Sequence, residues 1–173
     1  MTTATPRPAP SARVLRAPAF TVRFGRAEDA AELAALSRPF VRSGALRERP
    51  IPLYAARAAD FLVAVGAGGR LEGCVGLGVY PGGPAGDGAP AGVLYNFCVA
   101  GHRQGCGVGA VLLRTAVTWA RARSLGALFT ATTGGGRLFR RHGFTSAAGC
   151  PAPRSWVESL DPRRDAQILA RAV

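Results

Sequence analysis

Residues 92–113, GVLYNFCVAGHRQGCGVGAVLL, carry the strongest chemical signal in this sequence. They read as a strand, then a basic glycine-rich turn, then the start of a helix. Such a turn directs several backbone N–H groups toward one point at the positive end of a helix dipole, where a phosphate or pyrophosphate binds well. The segment therefore predicts a phosphorylated ligand that is held by backbone N–H groups.

Two common phosphate-binding motifs do not fit this turn. A P-loop needs a Gly-Lys-Ser/Thr triplet, and the sequence contains no lysine. A dinucleotide-binding fingerprint over Gly105, Gly107 and Ala110 should open the first βαβ unit and be followed by an acidic residue. Here the turn lies past the middle of the chain, and the next predicted strand is followed by Thr-Thr-Gly. A different class of phosphate site is therefore indicated.

Several side chains beside the turn are also candidates for chemistry. Tyr95 could bind a substrate or relay a proton, Cys98 could act as a nucleophile, and His102 could contact phosphate or act as a base. Each also has a structural interpretation, as a strand aromatic, a buried thiol and an exposed turn histidine. Because neighbouring strand residues face opposite sides, at most one of Tyr95 and Asn96 is expected to face a cleft.

The hydrophobic pattern predicts strands and helices that would position this turn. The predicted strands cover residues 20–24, 61–65, 71–80, 93–99 and 127–132, with a last short strand after residue 144. Predicted helices begin near residues 27, 53, 107 and 136. Residues 81–92 are predicted to be a loop, and the chain after the last strand is predicted to be an irregular tail.

Length and composition favour one domain. The chain has 173 residues, of which 48% are hydrophobic, and this suits a single core over residues 20–173. Residues 1–19 are predicted to be a flexible arm rich in Arg and Pro. No apolar run suits a membrane span or a secretory signal, so we expect a cytoplasmic protein. The four cysteines lack metal-ligand spacing, and no metal site is expected.

The charge distribution points to an anionic partner. All 22 basic residues are Arg and there are 10 acidic residues, which gives a net charge of +12. Between Asp87 and Glu158 there is no acidic residue, yet this interval holds eight Arg. Such a field attracts polyanions. Coenzyme A and RNA are both candidates.

The turn resembles a known signature. Gln104, Gly107 and Gly109 stand as Q-x-x-G-x-G after a strand that ends at Val99. This pattern is similar to the coenzyme A signature of the GNAT superfamily of N-acetyltransferases. The order of predicted elements over residues 20–145 also resembles that superfamily.

Two short segments place the resemblance more finely. The chain has the Leu-Tyr-x-Ala stretch at residues 53–56 and the ending Phe-x-Arg-His-Gly-Phe at residues 139–144. Both are similar to those of the small N-acetylglutamate-synthase-like members of the superfamily.

The resemblance implies a fold of the α/β (α+β) class. It is a twisted mixed sheet of six to seven strands, splayed open between the fourth and fifth strands, with helices on both faces. Acetyl-CoA or another acyl-CoA would lie in the splay as co-substrate. The implied coenzyme-binding residues are the end of the fourth strand and the turn, namely Phe97, Cys98, Val99, Gln104, Gly105, Cys106, Gly107, Val108, Gly109 and Ala110.

The resemblance also implies a reaction. A backbone N–H near Val99 would polarise the thioester carbonyl, and the primary amine of a small, amino-acid-like acceptor would attack directly. Many GNAT enzymes carry a Glu base where this chain has Tyr95 and Asn96, and a Tyr acid where it has Phe139. The candidate catalytic groups are therefore Val99, Tyr95, Asn96 and His102. An acceptor α-amine with a pKa of roughly 8 needs little help from a base.

The acceptor pocket in this fold is usually shaped by residues 40–60 and 82–91. These residues include Tyr54, Arg42, Arg47 and Arg49, which would suit an acidic acceptor.

Two further hypotheses remain open at this stage. The acyl donor could be an aminoacyl-tRNA, since a large polyanion suits the many basic residues, among them Arg7, Arg13, Arg16, Arg103, Arg140 and Arg141. Alternatively, the chain could be a non-catalytic GNAT module that binds nucleic acid or protein. A homodimer is also open, because dimers are common in the superfamily.

Overall fold

A computed structural model describes residues 20–82, 88–149 and 151–173. These residues form a seven-stranded sheet in the order β1-β2-β3-β4-β5-β7-β6. The strands are β1 (Phe20–Phe24), β2 (Phe61–Gly66), β3 (Leu71–Gly82), β4 (Gly88–Val99), β5 (Ala127–Thr132), β6 (Thr145–Ser146) and β7 (Gln167–Ala172). The β4–β5 pair is parallel and all other pairs are antiparallel.

Helices cover both faces of this sheet. They are α1 (Ala30–Arg42), α2 (Ile51–Ala56), α3 (Val108–Ala122), α4 (Arg137–Arg141) and α5 (Arg154–Glu158). The apolar stripe of α3 packs on one face, where Leu112 and Leu113 are fully buried against strand residues such as Leu77. On the other face, α1 and α2 bury Leu33 and Tyr54. The predicted mixed sheet with helices on both faces is confirmed, with seven strands.

The sheet opens between β4 and β5. The two strands pair only from Ala91 to Leu94 on β4, opposite Ala127 to Thr130 on β5. Beyond Leu94, β4 continues to Val99 while β5 ends at Thr132. The last five residues of β4 therefore leave the β5 side of their backbone free of strand pairing, and this is the predicted splay.

Two predictions about the chain path are wrong. The loop expected over residues 81–92 is shorter, because β3 extends to Gly82 and β4 begins at Gly88. The C-terminal tail is not irregular, because it forms α5 and then β7, which inserts between β5 and β6. Polar and apolar residues alternate only weakly in segment 167–172, and its pairing partner β5 lies some distance away in sequence. The local sequence pattern therefore did not reveal β7 as a strand.

The arm predicted over residues 1–19, with Arg7, Arg13 and Arg16, lies outside the described residues. In the part of the chain that is described, no helix has both the length and the apolarity needed to cross a membrane.

Candidate active site

The glycine-rich turn lies directly before α3 and is open to solvent. Gly105 and Gly107 have φ angles of 77° and 84°, values that favour glycine. A Cβ atom at either position would meet no atom within 4 Å, so space in front of the turn is free. The first α3 bond runs from Val111 N to Gly107 O at 3.0 Å. The N–H groups of residues 108–110 precede that bond and have no acceptor within the helix.

This turn fits the pyrophosphate of a coenzyme A. Its free N–H groups lie at the positive end of a 15-residue helix. Residues 88–157, which include the turn, contain no acidic residue, and the nearby carboxylate of Glu72 is paired with Arg103. The splay beside β4 leaves room for an extended arm. The side chain of Gln104 connects the turn to the end of β4, because its Nε2 donates to Val99 O at 3.1 Å.

A cleft of about 300 Å³ lies on the opposite face of the sheet from α3. Its floor is formed by β3, β4 and β5, and its two sides are the α1–α2 connection with α2 and the segment from α5 to Ala166. Its lining includes three arginines of the first side (Arg47, Arg49, Arg57) and one of the second (Arg164). The α5 side also contributes Trp156 and Leu160.

Tyr95 and Asn96 both face this cleft, so the prediction that at most one of them would do so is wrong. Cys74 pairs with Cys98 and Gly76 pairs with Tyr95, so β4 has one residue more than β3 in this interval. Asn96 takes a left-handed φ of 48° at this β-bulge. The extra residue breaks the alternation of the strand and turns two neighbouring side chains to the same face.

Arg49 presents an unneutralised guanidinium to the cleft. Its Nη1 donates to Asn96 Oδ1 and to Arg47 O, each at 3.2 Å, and its guanidinium lies 5.2 Å from the centroid of the Tyr95 ring. Among the described residues, no carboxylate forms an ion pair with it. Burial lowers the pKa of Arg49, but an arginine remains charged at neutral pH.

Tyr95 cannot serve as a base at neutral pH. Burial raises the pKa of Tyr95 to about 12, and its hydroxyl is buried without a hydrogen bond to any other described residue. The ring lies against Phe61 at 5.3 Å between centroids. It also covers Gly76, where a Cβ would be 2.5 Å from the Tyr95 ring, so only glycine fits there. The phenol is therefore a neutral hydrogen-bond donor.

The structure does not bring His102 to the cleft. His102 lies in the exposed single turn Gly101–Arg103 and faces a separate groove beside Glu32 and Arg70. Cys98 is 2% exposed, and its Sγ lies 3.5 Å from Cys74 Sγ. A buried thiol of this kind is a poor nucleophile.

Two of the arginines assigned to a tRNA surface have partners within the protein. Arg103 forms an ion pair with Glu72 at 2.8 Å, and Arg140 donates to Gln167 Oε1 at 2.8 Å. Arg141 is exposed. Of the arginines assigned to the acceptor, Arg47 and Arg49 line the cleft and Arg42 does not.

Sequence reasoning missed the contribution of the C-terminal segment. Trp156, Leu160 and Arg164 line the cleft, and Arg47 Nη2 reaches across to Ser159 O at 2.6 Å. The one available signal was Trp156, a large apolar residue in a segment that was interpreted as an irregular tail.

Residues 28–144 match the model of the Acetyltransferase (GNAT) family. This chain belongs to the GNAT family. Family membership shows that it is an N-acyltransferase, an enzyme that transfers an acyl group from acyl-CoA to an amine. A comparison with curated proteins finds no match for this GNAT sequence.

Solved structures agree with this assignment. The N-acetylglutamate synthase of Neisseria gonorrhoeae, complexed with coenzyme A and N-acetyl-glutamate, is 25% identical with a TM-score of 0.78. The match covers 88% of this chain and 35% of the synthase chain, so this GNAT protein spans about a third of that relative. Rv2747 from Mycobacterium tuberculosis, solved in complex with CoA, is 20% identical with a TM-score of 0.72, over 88% of this chain and 99% of that one. A GCN5-related N-acetyltransferase from Kribbella flavida is 21% identical with a TM-score of 0.66, over 90% and 98% of the two chains.

Proposed function

We propose that this GNAT enzyme acetylates the amine of a small, amino-acid-like acceptor, and that Arg49 binds the acceptor's carboxylate. The observation that carries the proposal is the half-buried guanidinium of Arg49, which faces the cleft and has no carboxylate partner among the described residues. A buried charge is costly unless it is paired. An anionic ligand would supply the missing partner.

The shape and charge of the cleft support an anionic acceptor. Its volume of about 300 Å³ is suited to a molecule of amino-acid size. Four arginines line it, whereas Asp161 is its acidic lining residue within the described part of the chain. The gonococcal synthase, which is 25% identical, was solved with N-acetyl-glutamate, and this supports the same acceptor class here.

The residues around the splay suggest how transfer would proceed. Acyl-CoA, when bound, supplies an acyl group that is activated as a thioester. Ala100 N donates to Glu72 O at 2.8 Å. Because N–H groups alternate between the two edges of a strand, the N–H of Val99 points toward the splay. It would donate to the carbonyl oxygen of the acyl group as negative charge develops there.

Tyr95 and Arg49 would act on the acceptor side of the same strand. Arg49 would hold the acceptor so that its amine points toward the splay, and orientation of this kind accounts for much of the rate in direct transfer. The neutral phenol of Tyr95 can donate a hydrogen bond but cannot accept the amine proton. The amine would therefore react in its neutral form. As its nitrogen bonds to the acyl carbon, the C–S bond would break, coenzyme A would leave as a thiolate, and the surplus proton on nitrogen would pass to solvent.

A comparison of acceptors with matched variants tests the proposal. Purified enzyme and acetyl-CoA are incubated with amino acids, with their amides and with the corresponding simple amines. We expect turnover of amino acids and weaker turnover of the amides. Arg49→Gln should raise the acceptor KM about 10- to 100-fold, the size of one lost charge-assisted bond, and leave the acetyl-CoA KM unchanged.

Arg42→Gln is the control, because Arg42 is exposed and lies outside the cleft lining. It should behave like the wild type. Equal use of acids and amides, together with an unchanged acceptor KM in Arg49→Gln, would contradict the proposal.

A further inference from the structure

Asn96 has a backbone conformation that its surroundings must hold in place. Three described residues other than glycine have a positive φ, namely Asn96, Ser124 and Asp165. Ser124 and Asp165 are exposed, whereas Asn96 is 3% exposed. Asn adopts the left-handed region more readily than most residues do, and here that conformation forms the bulge in β4.

The side chain of Asn96 is occupied by protein partners. Its Oδ1 accepts from Tyr54 OH at 3.1 Å and from Arg49 Nη1 at 3.2 Å. Its Nδ2 donates to Ser37 Oγ at 2.9 Å, and Ser37 Oγ in turn donates to Leu33 O at 2.8 Å. The Asn96 amide is therefore hydrogen-bonded to residues of α1 and α2, and its Oδ1 also accepts the hydrogen bond from Arg49. Because its polar atoms are engaged in this way, it is not placed to act on the reacting atoms.

One residue thus connects the two sides of the proposed site. The bulge at Asn96 lies within the segment of β4 that β5 leaves unpaired and that ends at Val99, on the donor side. The amide of Asn96 holds Arg49, on the acceptor side. Apart from Asn96, the described protein hydrogen bond of the Arg49 guanidinium goes to Arg47 O, which belongs to the exposed α1–α2 connection.

We propose that Asn96 is a positioning residue that couples the two sides: its side chain fixes Arg49 for the acceptor's carboxylate, and its left-handed backbone sets the direction of the donor-facing end of β4. The first half rests on the proposed function, since it takes Arg49 to be the carboxylate-binding group. The second half depends only on the bulge and on the coenzyme side of the fold.

Two different substitutions of Asn96 can test the two halves of the proposal separately. Asn96→Gly keeps a residue that accepts a φ of 48° but removes the amide. Asn96→Ala removes the amide and also disfavours the left-handed backbone. Ser124→Gly and Ser124→Ala form a matched control pair at an exposed position with a φ of 53°, away from both the cleft and the turn.

The test measures acetyl-CoA affinity by calorimetry, the acceptor KM and the kcat. In Asn96→Gly, we expect the acceptor KM to rise about tenfold, while acetyl-CoA affinity stays within about twofold of wild type. In Asn96→Ala, we expect acetyl-CoA affinity to fall as well. Both Ser124 variants should match the wild type. A merely structural role would instead lower the amount of active enzyme and leave both constants unchanged.

A double-mutant cycle with Arg49 then tests the coupling directly. If Asn96 acts through Arg49, Arg49→Gln should raise the acceptor KM much less in the Asn96→Gly background than in the wild type. The two effects on KM should therefore not be additive. Fully additive effects would overturn the acceptor half of the proposal. Acetyl-CoA affinity that is unchanged in a folded Asn96→Ala would overturn the donor half. If Asn96→Ala does not fold, a loss of acetyl-CoA affinity in Asn96→Gly would overturn the separation of the two halves.

The same cycle is also measured on the free energy of unfolding of the free protein. This measurement needs no acceptor, so it remains decisive if no tested amine is acetylated and the proposed function fails. A coupling between Asn96→Gly and Arg49→Gln in stability would then support Asn96 as the residue that holds Arg49. Zero coupling would overturn it.

Discussion

At the scale of single residues, the cleft is notable because none of its described side chains is suited to accept the proton of the acceptor's amine. Tyr95 is a neutral phenol with a pKa raised to about 12 by burial. Asp161, the carboxylate among the described cleft residues, is exposed, and its Oδ1 already accepts from Arg163 N at 3.0 Å. His102 lies in a different groove. In the proposed reaction, the proton of an incoming ammonium group would therefore pass to solvent.

This arrangement predicts the pH dependence of the reaction. We expect kcat/KM to rise with pH along a single limb whose midpoint follows the pKa of the acceptor's amine, because only the neutral amine attacks. Two acceptors that differ by about one unit in amine pKa should shift the midpoint by about one unit. The measurement is a pH–rate profile for each acceptor.

Tyr95→Phe and Asp161→Asn serve as the comparison for this profile. Neither substitution should move the midpoint, because the Tyr95 phenol stays protonated over the whole range from pH 6 to about 10. A limb that keeps one fixed midpoint for both acceptors, and that disappears in either variant, would identify that side chain as a base and contradict the prediction.

At the scale of elements, the site is made where regular structure is interrupted. The glycine turn leaves the first N–H groups of α3 unbonded, the early end of β4–β5 pairing opens the splay, and the bulge at Asn96 turns two side chains into the cleft. Each interruption leaves backbone groups or side chains available that a regular element would use for itself. In the proposed function, the coenzyme and the acceptor would approach the same segment of β4 from its two sides.

The turn before α3 makes a testable prediction about coenzyme affinity. Gly107→Val places a branched side chain at a φ of 84°, which strains the backbone and displaces the N–H groups that follow. We expect acetyl-CoA affinity to fall about tenfold or more, as for the loss of one charge-assisted hydrogen bond. Calorimetric titration with acetyl-CoA is the measurement.

Gly69→Val is the matched control for this variant. Gly69 has a φ of 75° and open space around its Cβ position, but it lies in the turn between β2 and β3. Both variants should lose a similar amount of stability, and only Gly107→Val should lose affinity for acetyl-CoA. A similar loss of affinity in both would show that strain in general, and not the phosphate turn, is responsible.

At the scale of the whole molecule, the excess of positive charge acts at long range. The net charge of +12 attracts any polyanion, whether it is a coenzyme or a nucleic acid. Glu72 neutralises Arg103, and Arg140 donates to Gln167, so both guanidinium groups already have partners within the fold. The net charge therefore predicts that polyanions are attracted, but it does not predict a preference for one polyanion over another.

Binding to tRNA should accordingly be electrostatic and unspecific. We expect tRNA to bind at about 50 mM salt and to lose most of its affinity by about 200 mM, with no difference between aminoacylated and uncharged tRNA. Filter binding over a salt series measures this. Tighter binding of the aminoacylated form at physiological salt, with loss of its aminoacyl group to an added amine, would support tRNA as the donor instead.

Much of the fold could be predicted because its signals are local. The pattern predicted β1 at residues 20–24 and β5 at residues 127–132, and both strands have these bounds. The glycine-rich turn could be recognised because glycine at positions 105 and 107 meets a backbone requirement that few other residues meet. The C-terminal strand β7 could not, because its partners on β5 are brought to it only by the folded sheet.

The sequence by itself determined the order of the elements from β1 to β6, the glycine-rich turn before α3 and the positive charge, since each depends on neighbouring residues or on composition. The tertiary structure decided which side chains share the cleft. Arg49, Asn96 and Trp156 lie far apart in the chain, and a single extra residue in β4 decides which face Asn96 occupies. Such proximity follows from strand register and packing, which are properties of the whole sheet and not of any local segment.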